Sequence, residues 1–549
     1  MTDSARAARR GRHAGNTATS VASDPATGLV HEERRPSGDA DADAVLHLRE
    51  GAASGARSSA PRVEHAKALM AAGQLEAAAE EAAAAARATQ DGSEAWIALG
   101  LIRYAQSDLD AAQDAFGRAV ACDPANPQAN NNLGLVLLQR RQLKSAAEAF
   151  LRAIEADPAY AMGCSNLGTV FDVAGDWTTA ESWFAEAIRR NGAHVEARHN
   201  LAASQMKRGA WRDAVDTLRA ILRMAPDDVR ALWNLADTQL RLGEFAEGWR
   251  LFEHGIGHRD YRGPARARAV LPYTPGARRL LLWGEQGIGE EMMFASMLLD
   301  LSAGGASGVV ECDHRLVPLF ARSFPGWRFA ATATPPAAET SGPFDAALPL
   351  ASMAQHLRGS LARFPRHAGY LRADRARTAA LRARYAAGGP EQVVGISWMS
   401  AARLDPTHKS IDLRSWGPIL RTPGVRFVSL QYGSAGAQIA AAARELGVSI
   451  LEDAEIDQLR DTDGFAAQVA AMDHVVTVST TAAHLAGALG RPGTVLLPAA
   501  RGLKWHWMAE RPDCPWYPSL TLLRQGEAGD WDDVIAAAAA RLAERRSNP

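Results

Sequence analysis

Apolar residues recur every 34 positions between residues 63 and 255, in three parallel series. Within each unit they follow the three- and four-residue spacing of amphipathic helices, and the period allows two helices per unit. The chain therefore predicts a stack of antiparallel helix pairs, each of which buries its apolar face against its neighbours. The series are Leu99, Leu133, Leu167, Leu201 and Leu235; Phe116, Phe150, Phe184, Leu218 and Phe252; and Leu75, Leu109, Leu143, Trp177, Trp211 and Phe245.

A 34-residue unit of this kind resembles the tetratricopeptide repeat, which implies an α solenoid over residues 61–255 with a groove for a protein or peptide partner. An asparagine precedes the leucine of four units. Polar side chains at one fixed position predict hydrogen bonds to the backbone of an extended peptide. A role at the helix start is the alternative. These predicted peptide-binding residues are Asn132, Asn166, Asn200 and Asn234.

The pattern changes to alternating strands and helices from residue 279 onward. Two such series predict two doubly wound α/β domains, 279–388 and 389–549, that face each other across a cleft. Residues 256–278 form the predicted linker, and residues 1–60, which contain no Phe, Trp or Tyr, predict a disordered tail. The predicted strands cover residues 280–283, 308–311, 344–350, 393–398, 425–431, 448–451, 474–479 and 494–497.

One joint between a strand and a helix suggests an anion site. After residue 478 the chain runs through Ser479, Thr480 and Thr481 into an Ala- and Leu-rich helix. A helix that starts in small hydroxyl residues presents backbone N–H groups at the positive end of its dipole, which favours a phosphate. His484 lies one turn further on and can face the same anion. The alternatives are an ordinary helix cap and a histidine at the edge of the core.

Composition narrows the class of protein. The 549 residues are 47% hydrophobic and 22% charged, which is ordinary for a globular protein, and the formal charge of -2 predicts no general attraction to nucleic acid or anionic lipid. Four scattered cysteines predict a reducing compartment and no structural metal. No run is long and apolar enough for a membrane span, so we expect a cytoplasmic protein.

Six segments, in order from about residue 279 to residue 541, resemble the bacterial proteins that join tetratricopeptide repeats to a heptosyltransferase-like glycosyltransferase. The resemblance implies the GT-B fold, with a Rossmann-like domain on the acceptor side followed by one on the donor side. Some proteins of this kind are implicated in the glycosylation of flagellin, which fits a peptide-binding solenoid. The segments are LLLWGEQGIGEEMMFASMLLDL, VVECDHRLVPLFARSFP, GISWMS with HKSIDL, RFVSLQYG, VSTTAAHLAGALG and PWYPSLTLLRQ.

The resemblance also implies roles for single residues. The family has GIGD or GLGD in its first loop, where the aspartate is the expected base, and this chain has GIGE ending at Glu290. Glu290 is therefore the candidate catalytic base for an acceptor hydroxyl, and Glu291 is the second choice; an acid placed for the helix dipole is the alternative. We expect Lys409 to contact the donor phosphate, unless it is an ordinary surface lysine. The predicted donor-binding residues are Gly287, Gly289, Lys409, Ser479, Thr480, Thr481 and His484.

The family has an Arg flanked by Trp where this chain has Lys504-Trp505-His506-Trp507. We expect the aromatic residues there to pack in the core, and the alternative is that they border the nucleotide. Together the features predict a GT-B glycosyltransferase without a metal or cofactor, which takes a nucleotide sugar and recruits a protein acceptor through its repeats. Because glutamate replaces the expected aspartate, a non-catalytic scaffold with a decayed enzyme half is one alternative. A transferase that uses a cytidine-linked nonulosonic acid is another.

Overall fold

The structure is a computed structural model and describes residues 60–88, 92–256, 270–333, 340, 342–389, 392–400, 409–526 and 529–547. The predicted tail lies outside the described residues except for Ala60, as does the middle of the predicted linker. The described chain divides into two compact units, one ending at Pro226 and one beginning at Asp227. The division falls before the last predicted helix pair of the repeats.

The described part of the first unit is a series of helix pairs, as the 34-residue period predicts. In each central pair an aromatic ring of the second helix lies against a glycine of the first. A side-chain carbon added at Gly134 would lie 2.6 Å from the Phe150 ring, so only glycine allows this approach. The helices are α1 Ala60–Ala71, α2 Leu75–Ala88, α3 Ser93–Ala105, α4 Leu109–Cys122, α5 Pro127–Gln139, α6 Leu143–Ala156, α7 Ala161–Ala174, α8 Trp177–Arg190, α9 Val195–Arg208 and α10 Trp211–Met224.

Two further helices with the same period, α11 Val229–Leu242 and α12 Phe245–Phe252, open the second unit. Trp249 on α12 is 1% exposed, and its ring centroid lies 5.3 Å from that of Trp505 and 6.3 Å from that of Phe294. The last helix pair therefore buries its apolar face against the α/β part of the chain.

The first sheet of the second unit has four parallel strands in the order β3-β2-β1-β4. The strand predicted at residues 280–283 is observed as β1 and begins one residue earlier, at Arg279. Strand β3 was not predicted, because its short run WRFAA is partly exposed and contains an arginine. The strands are β1 Arg279–Trp283, β2 Ser307–Cys312, β3 Trp327–Ala331 and β4 Ala346–Pro349, and the helices are α13 Ile288–Ala295, α14 Met297–Ala303, α15 Val317–Ser323 and α16 Ala354–Leu357.

The second sheet has seven strands in the order β10-β11-β9-β8-β5-β6-β7, and only the β10–β11 pair is antiparallel. The strands are β5 Gln392–Ser397, β6 Val425–Ser429, β7 Ile450–Leu451, β8 His474–Val478, β9 Gly493–Leu497, β10 Asp513–Cys514 and β11 Tyr517–Arg524. The helices are α17 Arg375–Ala386, α18 Gly417–Leu420, α19 Gly436–Leu446, α20 Thr462–Ala470, α21 Thr481–Ala488 and α22 Asp532–Ser547. Short 3-10 turns cover Glu253–Gly255, His314–Leu316, Leu350–Met353, Leu361–Arg363, Leu413–Trp416 and Trp505–Trp507.

The helices that follow β1 and β8 pack against each other, which brings together the loops at the carboxyl ends of the two strands. Beside this contact, the Arg315 guanidinium donates to the Leu459 carbonyl at 2.7 Å, and Arg322 pairs with Asp463. Helix pairs followed by two largely parallel sheets agree with the predicted order of a solenoid and an α/β module.

Candidate functional site

The side chain of Glu291 stabilises the loop that follows β1. Its carboxylate accepts a 2.9 Å hydrogen bond from the backbone N–H of Asp313, in the loop after β2. It also lies so close to Gly284 that a side-chain carbon there would be 2.3 Å from the carboxyl carbon. Glu291 thus joins two strand-end loops, and Glu290 remains the candidate base.

Glu290 and its loop lie against the buried ring of His484. A side-chain carbon at Gly289 would lie 2.6 Å from His484 Cδ2 and 2.9 Å from Nε2, so this approach requires glycine. The other ring nitrogen, Nδ1, is 2.8 Å from the Tyr517 hydroxyl. Burial lowers the pKa of His484 to about 4, and the charge of Glu290 opposes this lowering. The imidazole is therefore neutral near pH 7, with Nε2 toward the Glu290 loop.

The hydroxyl groups at the start of α21 bond within the protein. Thr480 precedes the helix in an extended conformation but makes no side-chain cap. Its hydroxyl lies 3.1 Å from that of Thr477 and 3.4 Å from that of Ser397. The Ser479 hydroxyl accepts a 2.8 Å bond from the Trp507 indole. These bonds fix the joint and leave the backbone of the first helical turn as the predicted phosphate contact.

Two lysines from separate loops lie near this joint. His506 is 1% exposed, and its ring centroid is 5.0 Å from that of His484. Burial lowers the pKa of His506 well below its usual value, and the neighbouring His484, Lys504, Lys409 and Arg241 lower it further. The charge of Lys409, the predicted phosphate contact, therefore acts on the ring that lies next to His484.

The loop that carries Lys504 and His506 is held from several sides. Arg241 of helix α11 donates from its guanidinium to the Leu503 carbonyl, and its own carbonyl accepts a 2.9 Å bond from Ala509 N–H. Arg524 donates to the Trp507 carbonyl at 2.6 Å and to the Met508 carbonyl at 2.9 Å. One residue of the last helix pair thus binds both ends of the loop.

The expected packing of the aromatic residues in this loop is observed, since Trp505 is 5% exposed and Trp507 is fully buried. His506, between the two Trp residues, and Lys504, before them, were not predicted to belong to the site. The alternation Lys-Trp-His-Trp was the available signal, because two buried indoles fix the direction of the intervening histidine.

A cleft of about 600 Å³, also absent from the sequence-based prediction, lies beyond the carboxyl ends of β6 and β7. Gln431 at its edge accepts hydrogen bonds from the N–H groups of Trp398 at 3.0 Å and Met399 at 2.9 Å. Three carboxylates give the cleft an acidic lining, which favours hydroxyl groups over phosphates. The lining residues are Gln431, Gly433, Glu452, Asp453, Ala454, Ile456, Asp457, Gln458, Leu459 and Arg460.

The predicted peptide-binding asparagines differ in their surroundings. Asn132 and Asn234 are each 5% exposed, whereas Asn166 and Asn200 are half-buried. Asn166 donates a 2.7 Å bond to the side chain of Asn131. Peptide binding by this series stays a prediction, and the half-buried members are better placed for it.

Two searches of the described residues are negative. No group of three or more His, Cys, Asp or Glu side chains is arranged to hold a metal ion. Among the helices of the described residues, none has the length and apolar character that crossing a membrane requires.

Comparisons with known proteins identify the repeats. Tetratricopeptide-repeat models match residues 63–127, 98–161 and 174–236. Protein FlbA of Caulobacter vibrioides is 33% identical over 329 residues, which cover 55% of this chain and 52% of FlbA. This chain thus spans about half the length of that curated relative.

Solved structures of tetratricopeptide-repeat type are also similar over part of the chain. The pilF protein of Pseudomonas aeruginosa has a TM-score of 0.33 and 16% identity, over 39% of this chain and 92% of that chain. TTC0263 of Thermus thermophilus has a TM-score of 0.29 and 21% identity, over 33% of this chain and all of the other, 100%. The family models and the helix pairs confirm the predicted repeats, so this chain contains tetratricopeptide repeats and is similar to FlbA over about half of its length. Such repeats commonly bind protein partners.

Proposed function

We propose that this protein is a GT-B glycosyltransferase that transfers a sugar from a nucleotide-sugar donor to a protein acceptor recruited by the repeats. The observation that carries the proposal is the packing of Gly289 on His484. This contact brings the loop that carries Glu290, after β1, next to the helix that follows β8. A base and an anion site on facing domains are what transfer from a nucleotide sugar requires.

In the proposed reaction the acceptor oxygen bonds to the anomeric carbon of the sugar. Glu290 takes the proton of the acceptor hydroxyl as this bond forms. The bond between the anomeric carbon and the phosphate oxygen breaks, and the nucleotide leaves with the electron pair. Lys409 and the first turn of α21 stabilise the negative charge on the departing phosphate.

The acidic cleft beyond β6 and β7 supports a nucleoside as part of the donor. Carboxylates and an amide accept hydrogen bonds from the hydroxyls of a ribose, and the carboxyl ends of parallel strands are where α/β sheets bind nucleotides. Glu452 and Asp457 are the cleft carboxylates that we assign to this role. A cytidine-linked nonulosonic acid fits the same arrangement and remains an alternative donor.

The repeats provide the protein-binding half of the proposal. Their resemblance to proteins implicated in flagellin glycosylation suggests a flagellin-like acceptor. A cytoplasmic location is part of the proposal, because the donor and a newly made acceptor would both be present there.

A non-catalytic scaffold is the second candidate function. One observation favours it: Glu290 stands where the resembled family has an aspartate. In a scaffold the Glu290 loop would be retained only for its packing against His484.

A pair of adjacent substitutions separates the two functions. Glu290→Gln removes the base but keeps the side-chain volume, so we expect transfer to fall by roughly 100-fold or more with nucleotide affinity nearly unchanged. Glu291→Gln is the matched control, because its amide oxygen still accepts the bond from Asp313 N–H; most of the activity should remain. Transfer is measured as the mass gain of a flagellin-type acceptor produced together with the full-length protein.

Glu290→Asp refines the test. It shortens the carboxylate by one methylene, and a displacement of about 1 Å in a positioned base lowers the rate by up to about 100-fold. If the wild-type protein transfers no sugar and both Glu290 substitutions leave the phenotype of cells unchanged, the scaffold replaces the enzyme.

A further inference from the structure

His506 is enclosed beside the proposed anion site without a hydrogen-bond partner for its ring. It is 1% exposed, and neither Nδ1 nor Nε2 has a partner. No other histidine among the described residues has both ring nitrogens in this state. Because a buried polar group without a partner is costly, protein interiors rarely retain one unless a water, an ion or a ligand completes it.

The groups around His506 define the partner that would complete it. Its own loop contributes Lys504, the loop after β5 contributes Lys409, and helix α11 contributes Arg241. Helix α21 contributes the neutral ring of His484, and the thiol of Cys514 on β10 donates to the His506 carbonyl at 3.6 Å. Asp237 on α11 pairs with Arg241, but the charges that act on the ring are those of the three cations, and their positive potential favours an anion.

His484 and His506 differ in their neighbours. The charge of Glu290 acts on His484 and on Tyr517. His484 uses its Nδ1 for Tyr517, whereas His506 has no such commitment. His506 is therefore the imidazole of the pair that is open to a new partner.

We propose that His506 binds a phosphate of the nucleotide, taking up one proton from solution as the nucleotide binds and donating the resulting N–H to a phosphate oxygen. This inference rests on the proposed function, because it takes the anion at the start of α21 to be a nucleotide phosphate. It assigns to His506 a ligand contact that complements the lysines, which lie in separate loops.

The direction of the pH dependence of nucleotide binding follows from the charges around His506. In the free protein, burial and the neighbouring cations hold the pKa of His506 well below its usual value, so the ring is neutral. A bound phosphate reverses the local potential and raises the pKa of the ring in the complex. Nucleotide binding therefore takes up a proton at pH values between the pKa of the free protein and that of the complex, and affinity rises as the pH falls below the pKa of the complex.

Calorimetric titration of the full-length protein with UDP, GDP, ADP and CMP tests this inference. Each titration is run near pH 7 in two buffers with different enthalpies of ionisation, so that the difference in heat gives the number of protons taken up. We expect close to one proton for the wild-type protein. His506→Gln can donate a hydrogen bond but cannot take a proton, so we expect about tenfold weaker binding or more and no proton uptake by this side chain.

His474→Gln is the matched control. His474 is also buried, at 4% exposure, but it lies at the start of β8, away from the joint, where its Nε2 is 3.0 Å from the Thr494 hydroxyl. This variant should bind the nucleotide as the wild-type protein does, with the same proton count. Melting temperatures of both variants show whether either substitution disturbs the fold.

The outcomes separate the two levels of inference. Tight nucleotide binding by wild-type protein with no proton uptake overturns the role of His506 and leaves the proposed function standing, even if His506→Gln does not fold. Equal affinity and equal proton uptake in wild type and His506→Gln also overturn the role of His506 and leave the proposed function standing. That result would indicate that an ordered water is the hydrogen-bond partner of the His506 ring. If the wild-type protein binds none of the nucleotides, the proposed function fails together with this inference.

Discussion

Two helix pairs of this chain share one sequence pattern and differ in what they bury. In the pair α5–α6, the Phe150 ring lies against Gly134, and its apolar cluster consists of residues from neighbouring repeats. In the pair α11–α12, the residue in the same register is Phe252, whose ring centroid lies 4.8 Å from that of Trp233 on α11 and 6.2 Å from that of Trp505. Phe252 of the last pair therefore packs against a residue of the α/β module, where Phe150 packs against residues of neighbouring repeats.

The difference shows that a repeat pattern predicts how a helix pair forms and does not predict what covers its open face. Trp249 illustrates the change, because the positions 34 and 68 residues earlier hold Val215 and Glu181. A large aromatic residue at this position has no counterpart in those repeats. It packs on Trp505, two residues beyond the loop residue that Arg241 binds.

The largest expected effect is that of removing the last pair. A chain that starts at residue 279, the predicted start of the enzyme half, lacks α11 and α12 and leaves the rings of Phe294, Trp505 and Trp516 uncovered. We expect it to lose cooperative unfolding and near-ultraviolet dichroism, because burial of these rings contributes strongly to stability. A chain that starts at residue 227 should fold and bind nucleotide. If the two chains melt alike, the last pair is an ordinary repeat.

A smaller effect is expected from truncating one ring in each pair. Phe252→Ala and Phe150→Ala each remove a side chain that is at most 1% exposed, and each should cost about 3 to 5 kcal/mol. We expect the first to increase hydrogen exchange in the strands and helices after residue 279, and the second to increase it in α5 to α8. Exchange that rises in the repeats alone after Phe252→Ala would contradict the comparison.

The smallest effect concerns two cations at the same register. Arg241 holds both ends of the loop Leu503 to Ala509, whereas Lys207, 34 residues earlier, pairs with Asp172 of the preceding repeat. Arg241→Met should weaken nucleotide binding about tenfold, because the loop with Lys504 and His506 loses the bond from the guanidinium to the Leu503 carbonyl. Lys207→Met should leave nucleotide affinity unchanged. Both affinities are measured by calorimetry. Equal changes in nucleotide affinity for the two substitutions would contradict the role of the last pair in holding the Lys504 loop.

The parts of the molecule with a strong local signal were predictable. The repeats carry three series in register, and buried strands such as β8 are uninterrupted apolar runs that end in hydroxyl residues. The glycine at position 289 was predicted for the donor site, although its reason is contact with a ring nearly 200 residues later. Local pattern therefore singled out both Gly289 and the strand–helix joint after β8, although it did not reveal that their loops are in contact.

The parts that depend on distant partners were not predictable. Strand β3 has too little apolar sequence, and the acidic cleft is assembled from two separate loops. The alternation around His506 does not reveal the cations that other segments bring to it. The motif ranks Glu290 before Glu291, but the bond from Asp313 N–H to Glu291 has no signal in the sequence.

The position of the boundary at Pro226 has a consequence for how the chain can vary in length. Whole 34-residue units inserted or deleted before Pro226 change the number of repeats. They keep the pair α11–α12, which binds the Lys504 loop. The length of the array and the chemistry of the site can then change independently. We expect an insertion of the same size between Arg241 and the first strand, β1, to disturb the bond from Arg241 to the Leu503 carbonyl and to remove this independence.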